Sequence, residues 1–190
     1  MIRTNPELLT YINELYNKKN NGITEEKHNP KQRVIEQNKR YNWVYIIKKG
    51  ITKCYLSDEN GKDFIQEFLG EGMEFGEIEV FSGNPSFCCI EAITELVVYK
   101  ISYIDFNTLL ENDKKFNRLV IKAMAAKISY KAPRHSYQQS YPIEDNILRL
   151  QQLFPKLTEV ISKSDIANYL GVTLRSLNRT LNQLKHRNEN

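Results

Sequence analysis

Residues 162–185 read SKSDIANYLGVTLRSLNRTLNQLK, and this stretch decides what kind of molecule the chain is. Ser162, followed three places later by Asp165, forms a capping box: the hydroxyl takes a free backbone N–H and the acid reaches back to the cap. Ile166, Ala167 and Leu170 give the first helix one apolar face, and Gly171 supplies the left-handed backbone that a sharp turn needs. Thr173 caps a second helix, whose Leu174, Leu177, Leu181 and Leu184 recur at three and four to form its inner face. The outer face carries Arg175, Ser176, Asn178, Arg179 and Asn182. Arginine pairs with guanine and asparagine with adenine through two hydrogen bonds each, while serine adapts to either. Long donors in the first half of a helix suit a reader of the DNA major groove. Thr173 completes the set, and Lys163, Lys185 and Arg187 stand where they would clamp phosphates, giving affinity and salt dependence.

Charge agrees with this placement. The 190 residues carry a net charge of +4. Between residues 156 and 187 Lys156, Lys163, Arg175, Arg179, Lys185 and Arg187 face only Glu159 and Asp165, so a polyanion is expected to dock at this end. The competing reading is a solvated charged face on a small helical cap. The small Ala167 and Gly171, where two helices must cross closely, favour the DNA-binding unit.

Working outward, residues 5–16 place Leu8, Leu9, Ile12 and Leu15 on one helical face, and the polar residues 18–21 end that helix. From Pro30 the period changes to two. Strands are expected at 33–36, 43–48, 51–56, 64–68, 88–93 and 96–101, joined by Gly-rich turns; Asn60-Gly61 fits a hairpin because both accept positive φ. Many short strands with evenly spaced turns imply a sandwich or rolled barrel. Residues 103–111 read as a short helix. A long one follows from 113 to about 130, with Phe116, Leu119, Val120, Ala123, Met124 and Ala126 on adjoining faces, and Pro133 is expected to kink or end it. One face would pack on the barrel and the other on a twin helix, giving a homodimer. The expected organisation is α+β: an N-terminal helix and β-roll, a double-stranded jelly-roll-like barrel, in 1–112; a dimerisation helix and hinge in 113–141; a helix-turn-helix domain in 142–190.

Several classes are set aside. No apolar run is long enough to span a bilayer, and the N-terminus has no export signal, so a cytoplasmic protein without membrane partners is expected. Cys54, Cys88 and Cys89 form neither a disulfide framework nor a zinc knuckle, and Cys88 and Cys89 would point to opposite faces of a strand. His28, His135 and His186 are isolated, so no metal or other cofactor is expected. A cupin-like enzyme would need histidines on its strands, where none is expected, and no nucleophile–base pair is visible. A non-enzyme is the reading.

Taken together, the chain resembles the Crp/Fnr family of bacterial regulators over nearly its whole length. Residues 43–50, ending in Gly50, are similar to the family's second strand pair. Residues 58–62 resemble the hairpin that follows, and 72–77 (Gly-Met-Glu-Phe-Gly-Glu) the start of the cyclic-nucleotide phosphate-binding cassette. Residues 161–185 resemble the family's helix-turn-helix. The resemblance implies a β-roll sensor, a long dimer helix, and binding to a palindromic double-stranded DNA operator, with RNA polymerase as a further partner.

It also locates a candidate ligand site at Phe75, Gly76, Glu77, Ser86, Phe87 and Cys88. In cyclic-nucleotide domains the cassette's Gly and Glu hold the ribose, and an arginine about ten residues later pairs with the phosphate. Gly76 and Glu77 match, but residues 84–88 (Asn-Pro-Ser-Phe-Cys) contain no basic residue. The roll is therefore expected not to bind cAMP tightly; Glu77 is read as capping its turn, and the small-molecule effector is unknown. The absence of cysteine before Cys54 excludes the family's N-terminal iron–sulfur sensor type, while a haem sensor would have His28 as its sole early ligand. Arg175 stands where many members carry an acid, whereas Arg179 matches the family's arginine. Residues 150–155 resemble the linker of a short, wingless group. The alternative function is a small-molecule sensor or partner-binding module that does not bind DNA.

Overall fold

A computed structural model describes residues 1–18, 22–153 and 157–188; the side chains of 132–140, 151, 153, 157–158 and 185–188 lie outside the described set. The period-two segments build two sheets. One has five strands in the order β1 (Ile2–Arg3), β6 (Asp63–Leu69), β5 (Thr52–Ser57), β8 (Cys89–Ala92) and β3 (Arg33–Ile35). The other has four, in the order β2 (Ile23–His28), β9 (Leu96–Ser102), β4 (Trp43–Lys49) and β7 (Glu74–Phe75). All pairings are antiparallel except β1 with β6. Between the sheets lie Ile35, Tyr45, Ile47, Cys54, Leu69, Phe75, Ile90 and Val98.

Both sheets are also covered outside, which explains their nearly continuous apolar runs. Val44, Ile46, Tyr99 and Ile101 turn to α1 (Pro6–Asn17), α3 (Tyr103–Asn112) and α4 (Lys114–Ser140), meeting Leu8, Ile12, Phe106, Phe116 and Val120. On the other sheet Tyr55, Ile65, Phe68 and Cys89 share one cluster with residues of the C-terminal helices: Ile147 of α5 (Ile143–Leu153), Ile166, Ala167 and Tyr169 of α7 (Lys163–Leu170), and Leu177 of α8 (Leu174–Asn188); α7 packs on β6, and α8 packs on α7 and α5. A four-residue α6 (Leu157–Val160) precedes the last pair. The helix-turn-helix is thus seated directly on the roll. Among the described residues no helix is long and apolar enough to cross a membrane.

Several expectations need correction. Pro133 does not end α4, which runs to Ser140. A proline removes only its own bond to the carbonyl four residues back, at about 3 kcal/mol, and intact turns on either side carry the helix through. β2 was not anticipated, because Thr24-Glu25-Glu26-Lys27 lies between its two buried ends. It is an edge strand paired only with β9, where charged side chains are tolerated. It places His28 on a strand, contrary to expectation. The two-residue β1 and β7 were likewise unforeseen, as was α2 (Glu77–Ser82). At the hairpin Gly61 has φ 74° but Asn60 has no positive φ. The Asp58 carboxylate organises the turn instead, accepting from the N–H groups of Asn60 and Lys62 at 2.9 Å. Cys88 precedes β8, yet Cys88 and Cys89 do face opposite sides, in separate clusters. Ala126 is exposed, whereas Phe116, Leu119, Val120 and Ala123 are buried.

Candidate functional site

The cassette forms where β7 turns into α2. Gly76 caps α2 with φ 87°, and a Cβ there would lie 2.4 Å from the Trp43 carbonyl oxygen, so only glycine fits. The next residue, Glu77, is 1% exposed. Its carboxylate does not cap the turn as expected. It accepts from the Lys127 ammonium of α4 at 2.6 Å. Lys127 also donates to the Glu74 carbonyl at 2.7 Å and lies 3.0 Å from the Glu74 carboxylate. Burial disfavours the ammonium's charge, but Glu77 and Glu74 outweigh it and push the Lys127 pKa up. Burial pushes the Glu74 carboxyl up, with Lys127 only partly opposing.

Beside this pair stands a second ionic group. Glu67 of β6 binds Arg3 at 2.8 Å and Lys131 at 3.0 Å. Arg3, Lys127 and Lys131 thus match Glu67, Glu74 and Glu77 one for one.

Phe75, Gly76, Glu77, Phe87 and Cys88 line one cavity together with Cys54, Glu67, Lys127 and Lys131; the space left is about 30 Å³. Ordinary small-molecule sites occupy roughly 300–1,000 Å³. Ser86 is not part of the lining, but its hydroxyl donates at 2.5 Å to Glu79, which is. Cys54 and Cys88 bring their sulfurs to 3.2 Å, and the Cys88 contact and burial together push the Cys54 thiol well up. All three cysteines are free. Among the described residues no three His, Cys, Asp or Glu are grouped to hold a metal.

In the helix-turn-helix, the Ser162 hydroxyl accepts the Asp165 N–H at 3.0 Å, as its spacing predicts. Asp165 does not reach the cap's backbone: it accepts from the Ser162 hydroxyl at 2.8 Å and pairs with Lys53 of β5 at 2.9 Å. Gly171 is left-handed at φ 71°, and the Thr173 hydroxyl accepts the Ser176 N–H at 3.1 Å. Leu177, Thr180 and Leu184 are the buried face of α8, while Leu174, expected inside, is 43% exposed at its first turn. Arg175, Arg179 and Asn182 form the exposed stripe opposite; Thr173 is exposed just before α8 and Lys163 at the start of α7. Ser176 and Asn178 flank it, half-buried. Gln183 is also exposed next to Arg179, a position the sequence reading passed over. The side chain of Lys185 lies outside the described residues, as do those of His135, His186 and Arg187, and residues 154–156 including Lys156.

The missed residues are those of the cassette's ionic lining. One signal could have found Lys127: it follows Phe116, Val120 and Ala123 along the buried seam of α4, where a lysine must have a carboxylate partner.

The chain thus combines a roll with a glycine-turn cassette, a long helix behind it and a helix-turn-helix. Residues 25–113 match the cyclic nucleotide-binding domain family. The cAMP-activated global transcriptional regulator CRP of Salmonella typhimurium is 23% identical over 173 residues, 85% of this chain and 82% of the relative. The c-di-GMP responsive global regulator CLP of Xanthomonas campestris superposes with a TM-score of 0.78 at 14% identity, covering 88% of each chain. FixK2 of Bradyrhizobium japonicum gives 0.71 at 20% identity, covering 87% of this chain and 86% of that one. Over most of its length the chain is thus similar to transcription regulators of the Crp/Fnr type, and it shares their fold.

Proposed function

We propose that this regulator works in the cytoplasm as a homodimer that reads a palindromic double-stranded operator through α8, with a roll that does not answer to cAMP. The organisation proposed is a roll in 1–112, a dimerisation helix and hinge in 113–141 and a DNA-binding domain in 142–190, with RNA polymerase as a further partner. The observation that carries the DNA reading is the exposed stripe Arg175, Arg179 and Asn182, set on a helix whose other side packs on α7 and α5. Thr173, Ser176 and Asn178 extend it, and Lys163 and Lys185 are the phosphate contacts. Fluorescence anisotropy with a library of genomic fragments tests the reading: affinity should fall steeply with salt, and some fragments should bind far better than others. Salt-insensitive or absent binding would leave the family fold without its DNA function.

The cAMP reading rests on Lys127. The loop of Ser86 and Phe87 supplies no cation, and the lysines that do reach the cavity are matched by Glu67, Glu74 and Glu77. A cyclic phosphate would have to break these pairs and would meet a further carboxylate, Glu79, in the cavity lining. Calorimetry with cAMP and cGMP should give no binding heat; a micromolar dissociation constant for either would overturn this.

For the dimer, Ile121 and Ile128 are 61% and 70% exposed on α4, away from the roll. Their seven-residue spacing, with the small Ala125 between them, is that of a helix seam. Sedimentation should show a dimer, and the double substitution Ile121→Asp with Ile128→Asp should give a folded monomer.

A further inference from the structure

The ionic lining of the cassette continues into the helix-turn-helix. Glu67 is the junction: its side chain is 4% exposed. Burial would push its carboxyl up, but Lys131, Lys127 and Arg3 outweigh burial and hold it below the usual carboxylate range. Arg3, bound to Glu67, also lies 5.0 Å from the centre of the Tyr130 ring, a cation–π distance. The Tyr130 hydroxyl meets the hydroxyl of Tyr169, on α7, at 3.0 Å. Tyr169 in turn packs its ring 5.4 Å from Phe68, the neighbour of Glu67 on β6.

Three members of this row share one helix face. Lys127, Tyr130 and Lys131 are spaced at three and four along α4, so they stand together. A rotation or slide of α4 that unseats Lys127 from Glu77 also moves Tyr130 against Tyr169 and Lys131 against Glu67. We propose that this row is a conformational relay: the seating of Lys127 in the cassette sets the position of α4, and Tyr130, bridged to Glu67 by Arg3, passes it to α7. Glu67 and Tyr130 are positioning residues. Lys127 thereby acts as a tethered internal occupant of the sensor site, and whatever displaces it loosens the seat of the DNA-binding unit. The relay does not depend on DNA binding, and its test uses none.

The test is amide hydrogen exchange on the full-length chain. Glu77→Gln weakens the Lys127 seat without touching α7; Tyr130→Phe removes the hydroxyl contact at the far end. Each should speed exchange of α7 by about 3- to 10-fold, the range that coupled networks carry. The double variant should exceed the larger single effect by less than about two-fold, because both cut one connection. The central strand β9 should keep its wild-type rate. Glu67→Gln should reproduce the single-variant effect. The relay is overturned if Glu77→Gln leaves α7 within two-fold of wild type, if the two effects multiply as independent ones do, or if β9 speeds up equally.

Discussion

Replacing Lys127 with methionine should cost about 3–5 kcal/mol of folding stability, the usual penalty for removing one partner of a buried ion pair. The methylene stem is retained, so packing changes little. What is lost is the charge held against Glu77 at 2.6 Å and Glu74 at 3.0 Å, two carboxylates that are each 2% exposed. Left alone, they must lose their charge or reach water. A double variant, Lys127→Met with Glu77→Gln, should recover about half the loss, since one orphaned charge disappears with its partner. The pH dependence has a definite sign. In the single variant the Glu74 carboxyl, already pushed up by burial, loses the cation that opposes this; its folded-state pKa stays above its unfolded one, so the folded state binds more protons and stability falls as pH rises through that window. The penalty should therefore shrink on acidification from pH 7 towards 5. Urea denaturation of the three proteins at the two pH values measures all of this. A Lys127→Met protein within 1 kcal/mol of wild type at pH 7 would show that the pair contributes little.

The second large effect concerns recognition. Arg179→Ala should weaken binding to the preferred operator by roughly 10- to 100-fold, the 1–3 kcal/mol of one bidentate base contact, and relax discrimination at one base pair. Arg175→Ala should do the same at a neighbouring position, since the two side chains stand one turn apart on the exposed stripe. Lys163→Ala should act differently: a weaker, nearly sequence-independent loss, with the salt slope reduced by about one for each protomer's lost phosphate contact. Competition anisotropy with single-base variants of the operator, over a salt series, separates the two patterns. Equal, sequence-independent losses for all three substitutions would mean that α8 grips the backbone without reading bases.

The local parts of this molecule were legible in its residues. Capping by Ser162 and Thr173, the left-handed Gly171 and the Leu177–Leu184 spacing depend on neighbours within a few positions, and all are present as read. The strands bounded by turn residues were equally plain. Less legible were elements whose stability comes from a distant partner. The charged β2 is a strand because β9 pairs with it, and β1 because β6 lies beside it. Leu174 repeats in step with Leu177 but falls at the helix start, beyond the reach of the surface that covers the rest. Pro133 reads as a break, yet its cost is local and the surrounding helix is cooperative.

By itself, then, the sequence determined the order of parts: a roll, a long helix and a helix-turn-helix with a basic exposed face, because periodicity, caps and turns are short-range properties. It also determined that the loop of Ser86 and Phe87 brings no cation to the cassette. Only the tertiary structure decided what stands there instead. Lys127 and Glu77 lie fifty residues apart, and nothing local to either residue binds them. They meet because α4 packs its seam across the roll, and a lysine buried in that seam is tolerable only where two carboxylates receive it.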